Sequence, residues 1–356
     1  MNGLWFDARF INPASPDGIT NFSLGLISEL SKTVQLSVLV CNQAQQASLP
    51  SGVKSLMVTG PTSLKEFFLA RKLKDQGIRY LVSPMQTTSS IGRNFKLAVT
   101  LHDLIYYRHR RPPSAFSWPV RAIWWLFHLS YGPQRFLLNR ADLVLTVSET
   151  SKRQMLAARL TKRPIEVIGN ATDIAPTVPS GARNDSRFLV YMGSFIDYKN
   201  VEFLIRAVGL LPDHTLVLLS RISPARRTHF EELATTHSSS IRFENGVTPA
   251  DYASWLGRAH ALVSASKDEG FGIPIIEAMS QGLPVILSDI EIFHEVGSDA
   301  ALYFDPTKEK EFRRSVLELQ DPEVWKQQSL NAIRQAANYS WQGSSRKLLD
   351  ALNRLP

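Results

Sequence analysis

Short apolar runs alternate with amphipathic stretches along the whole 356-residue chain. That alternation is the pattern of an open parallel sheet with crossover helices. In the first half, the runs at 2–7, 34–40, 79–83, 96–101, 143–147 and 165–168 predict strands, and 20–30, 64–74, 115–138 and 149–158 predict the helices between them. From 171 to 187 the text is rich in Pro, Ser and turn formers and poor in bulky apolar residues, which marks a linker. The alternation then restarts, with strands expected at 187–192, 215–220, 241–243, 260–264, 284–287 and 301–304 and helices at 200–210, 225–236, 249–257, 274–281 and 308–319. Residues 322–355 read as helix apart from a break at 338–343. Trp341, Leu348, Leu349 and Leu352 fall largely on one face, so the last helix is expected to lie against a surface. The expected organisation is an α/β domain over 1–172, a linker over 173–186, a second α/β domain over 187–338 and a closing helix over 339–356.

Composition narrows the class. With 44% hydrophobic and 20% charged residues, and Gly and Pro spread along the chain, disorder, collagen and coiled coil are excluded. The lone Cys41 can form neither an internal disulfide nor a cysteine zinc site, which points to a reducing compartment. Residues 1–7 lack the basic start and apolar run of a secretory signal, and 118–131 is broken by Arg121 and His128 and falls short of a membrane span. A cytoplasmic protein is expected, at the inner face of the membrane if its surface binds lipid.

The net charge of +8 is unevenly placed. Residues 1–170 carry 21 Lys and Arg against 9 Asp and Glu, whereas the remainder carries 19 against 23. One domain therefore suits an anionic partner, or simply presents a solvated basic face. Nucleic acid is not expected, because the basic half carries no nucleic-acid motif. Within it, 106–131 interleaves Arg108, Arg110, Arg111 and Arg121 with Phe116, Trp118, Trp124 and Trp125. This composition suits an anionic membrane interface, and equally a buried helix beside a basic loop.

The most informative stretch runs from Ser266 to Met279, Ser-Lys-Asp-Glu-Gly-Phe-Gly-Ile-Pro-Ile-Ile-Glu-Ala-Met. It follows an apolar run, and Pro274 suits the first turn of a helix, so Gly270, Phe271, Gly272 and Ile273 form a strand-to-helix loop. The exposed N–H groups of such a loop, unobstructed at Gly270 and Gly272, suit a diphosphate. Glu269 enters the loop and Glu277 stands about one turn into the helix. Carboxylates accept hydrogen bonds from sugar hydroxyls and repel phosphate, so the pair points to hydroxyl recognition at both ends of a sugar nucleotide. No Gly-x-Gly-x-x-Gly follows the first strand, which disfavours a nicotinamide-dependent oxidoreductase.

With Glu269 and Glu277 separated by seven residues, and with Gly282-Leu283-Pro284-Val285-Ile286 and Glu295-Val296 following, the chain resembles glycosyltransferase family 4, the group 1 glycosyl transferases of the GT-B type. The resemblance covers nearly the whole chain. Asp17-Gly18-Ile19-Thr20-Asn21-Phe22 is similar to the family's glycine-containing loop, where acceptor and donor meet. Leu101-His102-Asp103-Leu104 matches its His-Asp pair near the transferred sugar. Gly193-Ser194-Phe195 with Lys199-Asn200 matches the loop that opens the donor domain, and Asn170 and Asp173 echo an Asn-Gly-x-Asp crossover. The chain departs from the pattern twice: Ser194 stands where an arginine is common, and Ala171 where glycine is. Arg221, at the end of a neighbouring apolar run, is the candidate for the missing positive charge.

The resemblance implies two Rossmann-like domains facing each other across a cleft, with the C-terminal helix packing back toward the first. It implies transfer of a hexose from a nucleotide sugar to a hydroxyl of a saccharide or lipid-linked saccharide, with retained configuration. The departing phosphate takes the acceptor's proton, with no metal ion and no cofactor. His102, Asp103 and Glu269 are the implied catalytic group, and Gly18, Gly193, Ser194, Lys199, Arg221, Gly270, Phe271, Gly272, Ile273 and Glu277 the implied donor site. Similarity to bacterial polysaccharide mannosyltransferases favours GDP-mannose, with a UDP-hexose transferase and a non-catalytic nucleotide-sugar-binding protein as the alternatives.

Overall fold

The computed structural model of the chain describes residues 2–112, 117–174 and 186–356. Most of the expected linker, and Phe116 in the basic aromatic segment, lie outside the described residues. The chain divides into two units, one comprising Met1–Ala171 with Ser340–Pro356, the other Thr172–Tyr339.

The first unit is built on seven parallel strands: β1 Leu4–Asp7, β2 Leu36–Val40, β3 Lys54–Met57, β4 Tyr80–Ser83, β5 Lys96–Thr100, β6 Leu143–Thr146 and β7 Ile165–Val167, in the order β3-β2-β1-β4-β5-β6-β7. The centre of this sheet is covered on both faces, so β4 and β6 are wholly buried and read as unbroken apolar runs. Register is set by pairs such as Leu4 with Leu36 on one side of β1 and Leu4 with Tyr80 on the other. The second unit repeats the plan with six parallel strands: β8 Phe188–Tyr191, β9 Thr215–Leu218, β10 Ser240–Phe243, β11 Ala261–Ser264, β12 Val285–Ser288 and β13 Ala301–Phe304, in the order β10-β9-β8-β11-β12-β13. Its core joins Phe203, Phe304 and Phe312 to Trp325, whose indole N–H donates to the carbonyl of His260 at 2.9 Å.

In both sheets the strand order reverses beside the first strand of the unit, between β1 and β4 and between β8 and β11. Ligands of open α/β sheets bind at the carboxyl ends of the strands at such a reversal. The sheets therefore direct attention to the segments after Asp7 and Ser83 in the first unit and after Tyr191 and Ser264 in the second.

Several elements differ from the sequence reading. β3 and the short helix Gln43–Ala47 were not expected. The expected helix at 64–74 is a 3-10 turn Leu64–Phe68, one α-turn Leu69–Lys72 and a second 3-10 turn Lys74–Gln76. The described part of the long aromatic helix expected at 115–138 is two helices, Trp118–Phe127 and Gly132–Asn139, the second with Pro133 in its first turn. The helix Glu291–Gly297, which contains Glu295, was not among the expected elements.

The C-terminal helix, Trp341–Asn353, belongs to the first unit as expected. It packs on the helix Gly18–Thr33 at a point where the partner has no side chain: a Cβ at Gly25 would fall 2.1 Å from the indole of Trp341. Ser344 adds a hydrogen bond from its Oγ to the carbonyl of Gly169 at 2.7 Å.

Candidate active site

In the second unit, β8 runs into Gly193 and Ser194. Tyr191 turns back to donate its hydroxyl to the carbonyl of Ser194 at 2.8 Å, while the N–H of Gly193 donates to Ser220 Oγ at 3.0 Å. A side chain at Gly193 would meet the Tyr191 hydroxyl at 2.8 Å, so this close approach requires glycine. The chain then makes a 3-10 turn, Asp197–Lys199, and reverses at Asn200, whose backbone is left-handed with φ 55° and whose amide donates to the carbonyl of Pro306 at 3.1 Å. That reversal turns Lys199 back to the carboxyl end of β11.

There it meets the second loop. The N–H of Lys267 donates to the carbonyl of Tyr198 at 2.8 Å, fastening the two loops together. Lys199 Nζ pairs directly with Glu269 Oε1, which also accepts from Ser266 Oγ at 3.2 Å. Both charged side chains are mostly buried. Both described hydrogen bonds of Glu269 fall on Oε1, leaving Oε2 without one among the described residues.

Gly272 caps the helix Ile273–Ser280 with φ 101°, a left-handed conformation that favours glycine, and no side chain caps the helix. The first-turn amides of such a helix start lack intrahelical acceptors and carry its positive dipole end. Pro274 occupies the first turn, where its missing N–H costs nothing. Glu277 follows on the same helix and accepts the Tyr252 hydroxyl at 2.9 Å through Oε2. Burial raises its pKa above the ordinary carboxylate value, the charge of Asp173 adds to the rise, and the Tyr252 bond opposes it. Tyr252 itself was not anticipated; its signal in the sequence is only an aromatic residue in an amphipathic helix.

Two expected donor residues are placed differently. Phe271 is buried with its ring edge-to-face on Tyr339, at 5.5 Å between centroids, so it packs the loop from below. Arg221 is exposed and runs along Gly246, where its Cγ lies 2.7 Å from the position a Cβ would take, toward the β10 side of its strand and without a described contact to Lys199, Ser194 or the Glu269 loop. Gly270 is buried and Ile273 partly exposed at the helix start.

In the first unit, Gly18 is exposed at the start of its helix, next to Asp17, whose Oδ1 accepts the N–H of Thr20 at 2.8 Å. His102, just past β5, lies edge-to-face with Phe22 at 5.2 Å, and its Nε2 is 2.9 Å from the carbonyl of Pro84. A carbonyl only accepts, so Nε2 carries the hydrogen. Burial lowers the imidazole's pKa, against the Pro84 bond and the charge of Asp17, which raise it. The neutral ring thus keeps a lone pair on Nδ1. Asp103 Oδ1 accepts the N–H of Ile105 at 2.9 Å and shapes the turn after His102.

Beside this lies a buried ionic network that the sequence reading missed. Arg9 is gripped bidentately by Asp7, at 2.7 Å from Nε and from Nη2, and donates to Glu66 at 2.6 Å and to the carbonyl of Thr59 at 3.0 Å. Thr88 donates to Asp7 Oδ2 at 2.8 Å, so its remaining partner, Ser83 at 2.7 Å, is the donor to it. The chain Asp7, Thr88, Ser83 clamps the segment that presents the Pro84 carbonyl to His102. Desolvation opposes the charge on Arg9, but Asp7 and Glu66 outweigh it and push the guanidinium further from titration.

Among the described residues there is no group of three or more His, Cys, Asp or Glu able to hold a metal ion. A depression of about 670 Å³ lined by Arg79, Arg93, Lys96, Asp142 and Pro356 lies at the amino ends of β4 to β6, the end of a parallel sheet that does not bind ligands.

Two parallel α/β sheets and a loop that sets two glutamates, a lysine and an open helix start at a strand-order reversal define a protein of the GT-B glycosyltransferase class. Residues 186–321 match the family model described as glycosyl transferases group 1, and residues 68–175 match that of glycosyltransferase family 4. The chain belongs to this family and is a glycosyltransferase. It is 25% identical over 323 residues to the O-antigen chain mannosyltransferase RfbU of Salmonella typhimurium, covering 85% of this chain and 87% of that one. It is 27% identical over 234 residues to O-antigen chain mannosyltransferase B of Escherichia coli, covering 60% and 61%. The fold is shared with sucrose-phosphate synthase from Thermosynechococcus elongatus, with a TM-score of 0.75 and 16% identity over 99% of this chain and 98% of that one. It is also shared with Anabaena HepE in complex with UDP and glucose, at 0.73 and 17%, over 99% and 100%.

Proposed function

We propose that the protein transfers mannose from GDP-mannose to a hydroxyl of a saccharide or lipid-linked saccharide in cell-surface polysaccharide synthesis, on the cytoplasmic side of the membrane, with retention and without a metal ion or other cofactor. The observation that carries the donor site is the meeting of Glu269, Glu277, Lys199 and the Gly272 helix start at one strand-order reversal. The names of the mannosyltransferase relatives support the sugar.

In this reading Glu277 takes the ribose hydroxyls, and the open oxygen of Glu269 takes a hydroxyl of the donor sugar. Lys199 and the N–H groups at 271–273 meet the charge that develops on the departing diphosphate, stabilisation of the kind that costs no reorganisation during reaction. Nδ1 of neutral His102 accepts a sugar hydroxyl, and Asp103 holds the turn that carries it. The leaving phosphate oxygen takes the acceptor's proton on the same face of the sugar, so no side-chain nucleophile is needed. The absence of an Asp-x-Asp sequence supports the metal-free reading.

The test is a panel of GDP-mannose, UDP-glucose and other nucleotide sugars, read by thermal shift and by nucleotide release, since a ligand specific to the native state raises its apparent stability. GDP-mannose should give the largest shift and be turned over in EDTA, and the product's anomeric configuration by NMR should match the donor's. Preference for a UDP-sugar would replace the donor, binding without transfer or hydrolysis would leave a binding protein, and rescue of EDTA-treated enzyme by magnesium or manganese would overturn the metal-free mechanism.

A further inference from the structure

The helix Trp118–Phe127 has no buried residue. Among the described residues, Trp124 packs 5.1 Å from the ring of Tyr106 and 4.0 Å from that of the C-cap His128, which Phe127 also meets at 5.1 Å. The opposite face is apolar and turned to solvent: Trp118 is 80% exposed, Ile123 67%, Leu126 59% and Trp125 45%. Phe136, on the next helix, is 62% exposed. An ordinary surface helix shows the reverse arrangement, with its apolar stripe inward. A contiguous exposed apolar patch of this kind marks an interaction surface.

Charge selects the occupant. Between Asp103 and Asp142 the chain carries six arginines, Arg108, Arg110, Arg111, Arg121, Arg135 and Arg140, and no Asp or Glu. Arg121 stands on the helix itself, and Arg140 lies over the ring of the exposed Phe136 at 5.2 Å, so positive charge accompanies the exposed apolar side chains of this segment. A second copy of the chain joined through this face by a two-fold axis would set arginines against arginines. An anionic bilayer offers what both parts need, with acyl chains for the aromatic and aliphatic side chains and phosphate headgroups for the guanidinium groups. Ten residues are too few to span it, and among the described residues no helix is long and apolar enough to do so.

We infer that the helix Trp118–Phe127 lies in the headgroup layer of an anionic membrane, with Trp118, Ile123, Trp125 and Leu126 inserted and the surrounding arginines on the lipid phosphates. The biological need for such docking rests on the lipid-linked acceptor proposed above; the surface itself does not.

The experiment is flotation of the full chain with phosphatidylcholine vesicles in which a third of the lipid is phosphatidylglycerol, alongside quenching of tryptophan fluorescence by brominated lipid. The wild type should bind these vesicles, bind neutral ones weakly, and come off in high salt. Trp118→Ser/Ile123→Ser/Leu126→Ser should abolish binding. Arg110→Gln/Arg121→Gln/Arg140→Gln should weaken it on the order of a hundredfold. Trp118→Phe/Trp125→Phe should keep binding and lose most of the quenching. Thermal shift with GDP-mannose should be the same in all variants, so that failure of the donor reading and failure of docking are distinguishable. No binding to anionic vesicles at low salt, or full binding by the serine variant, would overturn the inference. A wild-type dimer that the serine variant dissolves, with no vesicle binding, would give the surface to a second copy of the chain.

Discussion

Lys199 and Glu269, 70 residues apart in sequence, form a mostly buried ion pair at the mouth of the donor loops. The cation assigned to the diphosphate and the carboxylate assigned to the sugar thus neutralise each other. In the proposed reading substrate binding is an exchange: the diphosphate takes a share of Lys199, and Glu269 gives its open oxygen to a sugar hydroxyl.

The exchange separates two variants that a simple contact picture would treat alike. Lys199→Ala removes a charge-assisted hydrogen bond, which contributes about 1.5 to 3 kcal/mol, so GDP affinity should fall on the order of ten- to a hundredfold. Glu269→Gln frees Lys199 from its competitor, so GDP should bind at least as tightly as to wild type while turnover collapses. Calorimetric titration with GDP and a transfer assay distinguish the two. Equal loss of GDP affinity in both variants would mean that the pair is a structural unit and that Lys199 does not serve the diphosphate.

Glu277 gives a pH signature. Its pKa is raised in the folded state, chiefly by burial. The folded protein therefore holds this proton more tightly than the unfolded chain, and the stability linked to it is present below the ordinary carboxylate pKa and lost as pH rises through the raised value. Glu277→Gln should accordingly raise the melting temperature near neutral pH, with the gain vanishing at about pH 4. Donor affinity should move oppositely, because the ionised carboxylate is the better hydroxyl acceptor. In wild type it should weaken on acidification at a pH above the usual carboxylate range, and Tyr252→Phe, which removes a bond that lowers the pKa, should shift that midpoint further up. A melting gain for Glu277→Gln that is independent of pH would contradict the buried-charge account.

The link from Thr88 to His102 predicts a change of tautomer. Thr88→Val cuts the clamp between Asp7 and Ser83 and loosens the segment that offers the Pro84 carbonyl to Nε2, whereas Thr88→Ser retains the hydroxyl. Nitrogen-15 NMR of the imidazole should show Nε2–H in wild type and Thr88→Ser and a tautomer mixture in Thr88→Val, with kcat falling more than KM rises. Because burial holds the His102 pKa below the ordinary histidine value, the ring should stay neutral as pH falls through the usual histidine range. A single unchanged tautomer in Thr88→Val would confine the network to folding.

How far the sequence reveals these features depends on where each is encoded. The central strands are legible because both faces of the sheet are covered, leaving unbroken apolar runs such as Leu143–Thr146. β3 is not, since Lys54–Met57 is a partly exposed edge strand with only two apolar residues. The aromatic segment reads as one helix because apolar spacing continues across 128–131, while Gly132 and Pro133 start a new one. The carboxylate loop is legible because Glu269, Gly270, Gly272 and Glu277 are neighbours in sequence. The Arg9 network is not, because it joins Arg9 to Glu66 and Asp7 to Thr88 across 57 and 81 residues, and nothing local marks Thr88 as a partner. Arg221 marks another limit: the end of a strand can be read from sequence, but the direction its side chain takes, here along Gly246, cannot.

Gly25 and Trp341 decide whether the returning helix is held by shape. On an exposed helix, Gly→Ala stabilises by about 1 kcal/mol through propensity alone. Here the new Cβ would sit 2.1 to 2.5 Å from three indole atoms, and Trp341 is only 7% exposed, with its ring near Phe22. Overpacking at such a site costs about 1 to 3 kcal/mol, so the clash should win. Gly25→Ala should lower the melting temperature by several degrees, given about 2 to 4 °C per kcal/mol for a domain of this size. Trp341→Leu removes the indole at the cost of a cavity, and in that background Gly25→Ala should be neutral or stabilising, because only the propensity term remains. A double-mutant cycle therefore gives a coupling equal in size to the clash and opposite in sign, the double variant being less destabilised than the sum of the singles. If Gly25→Ala is as harmful without the indole as with it, the glycine serves the helix or its other neighbours, and the close approach of Trp341 is not what fixes the C-terminal helix on the first unit.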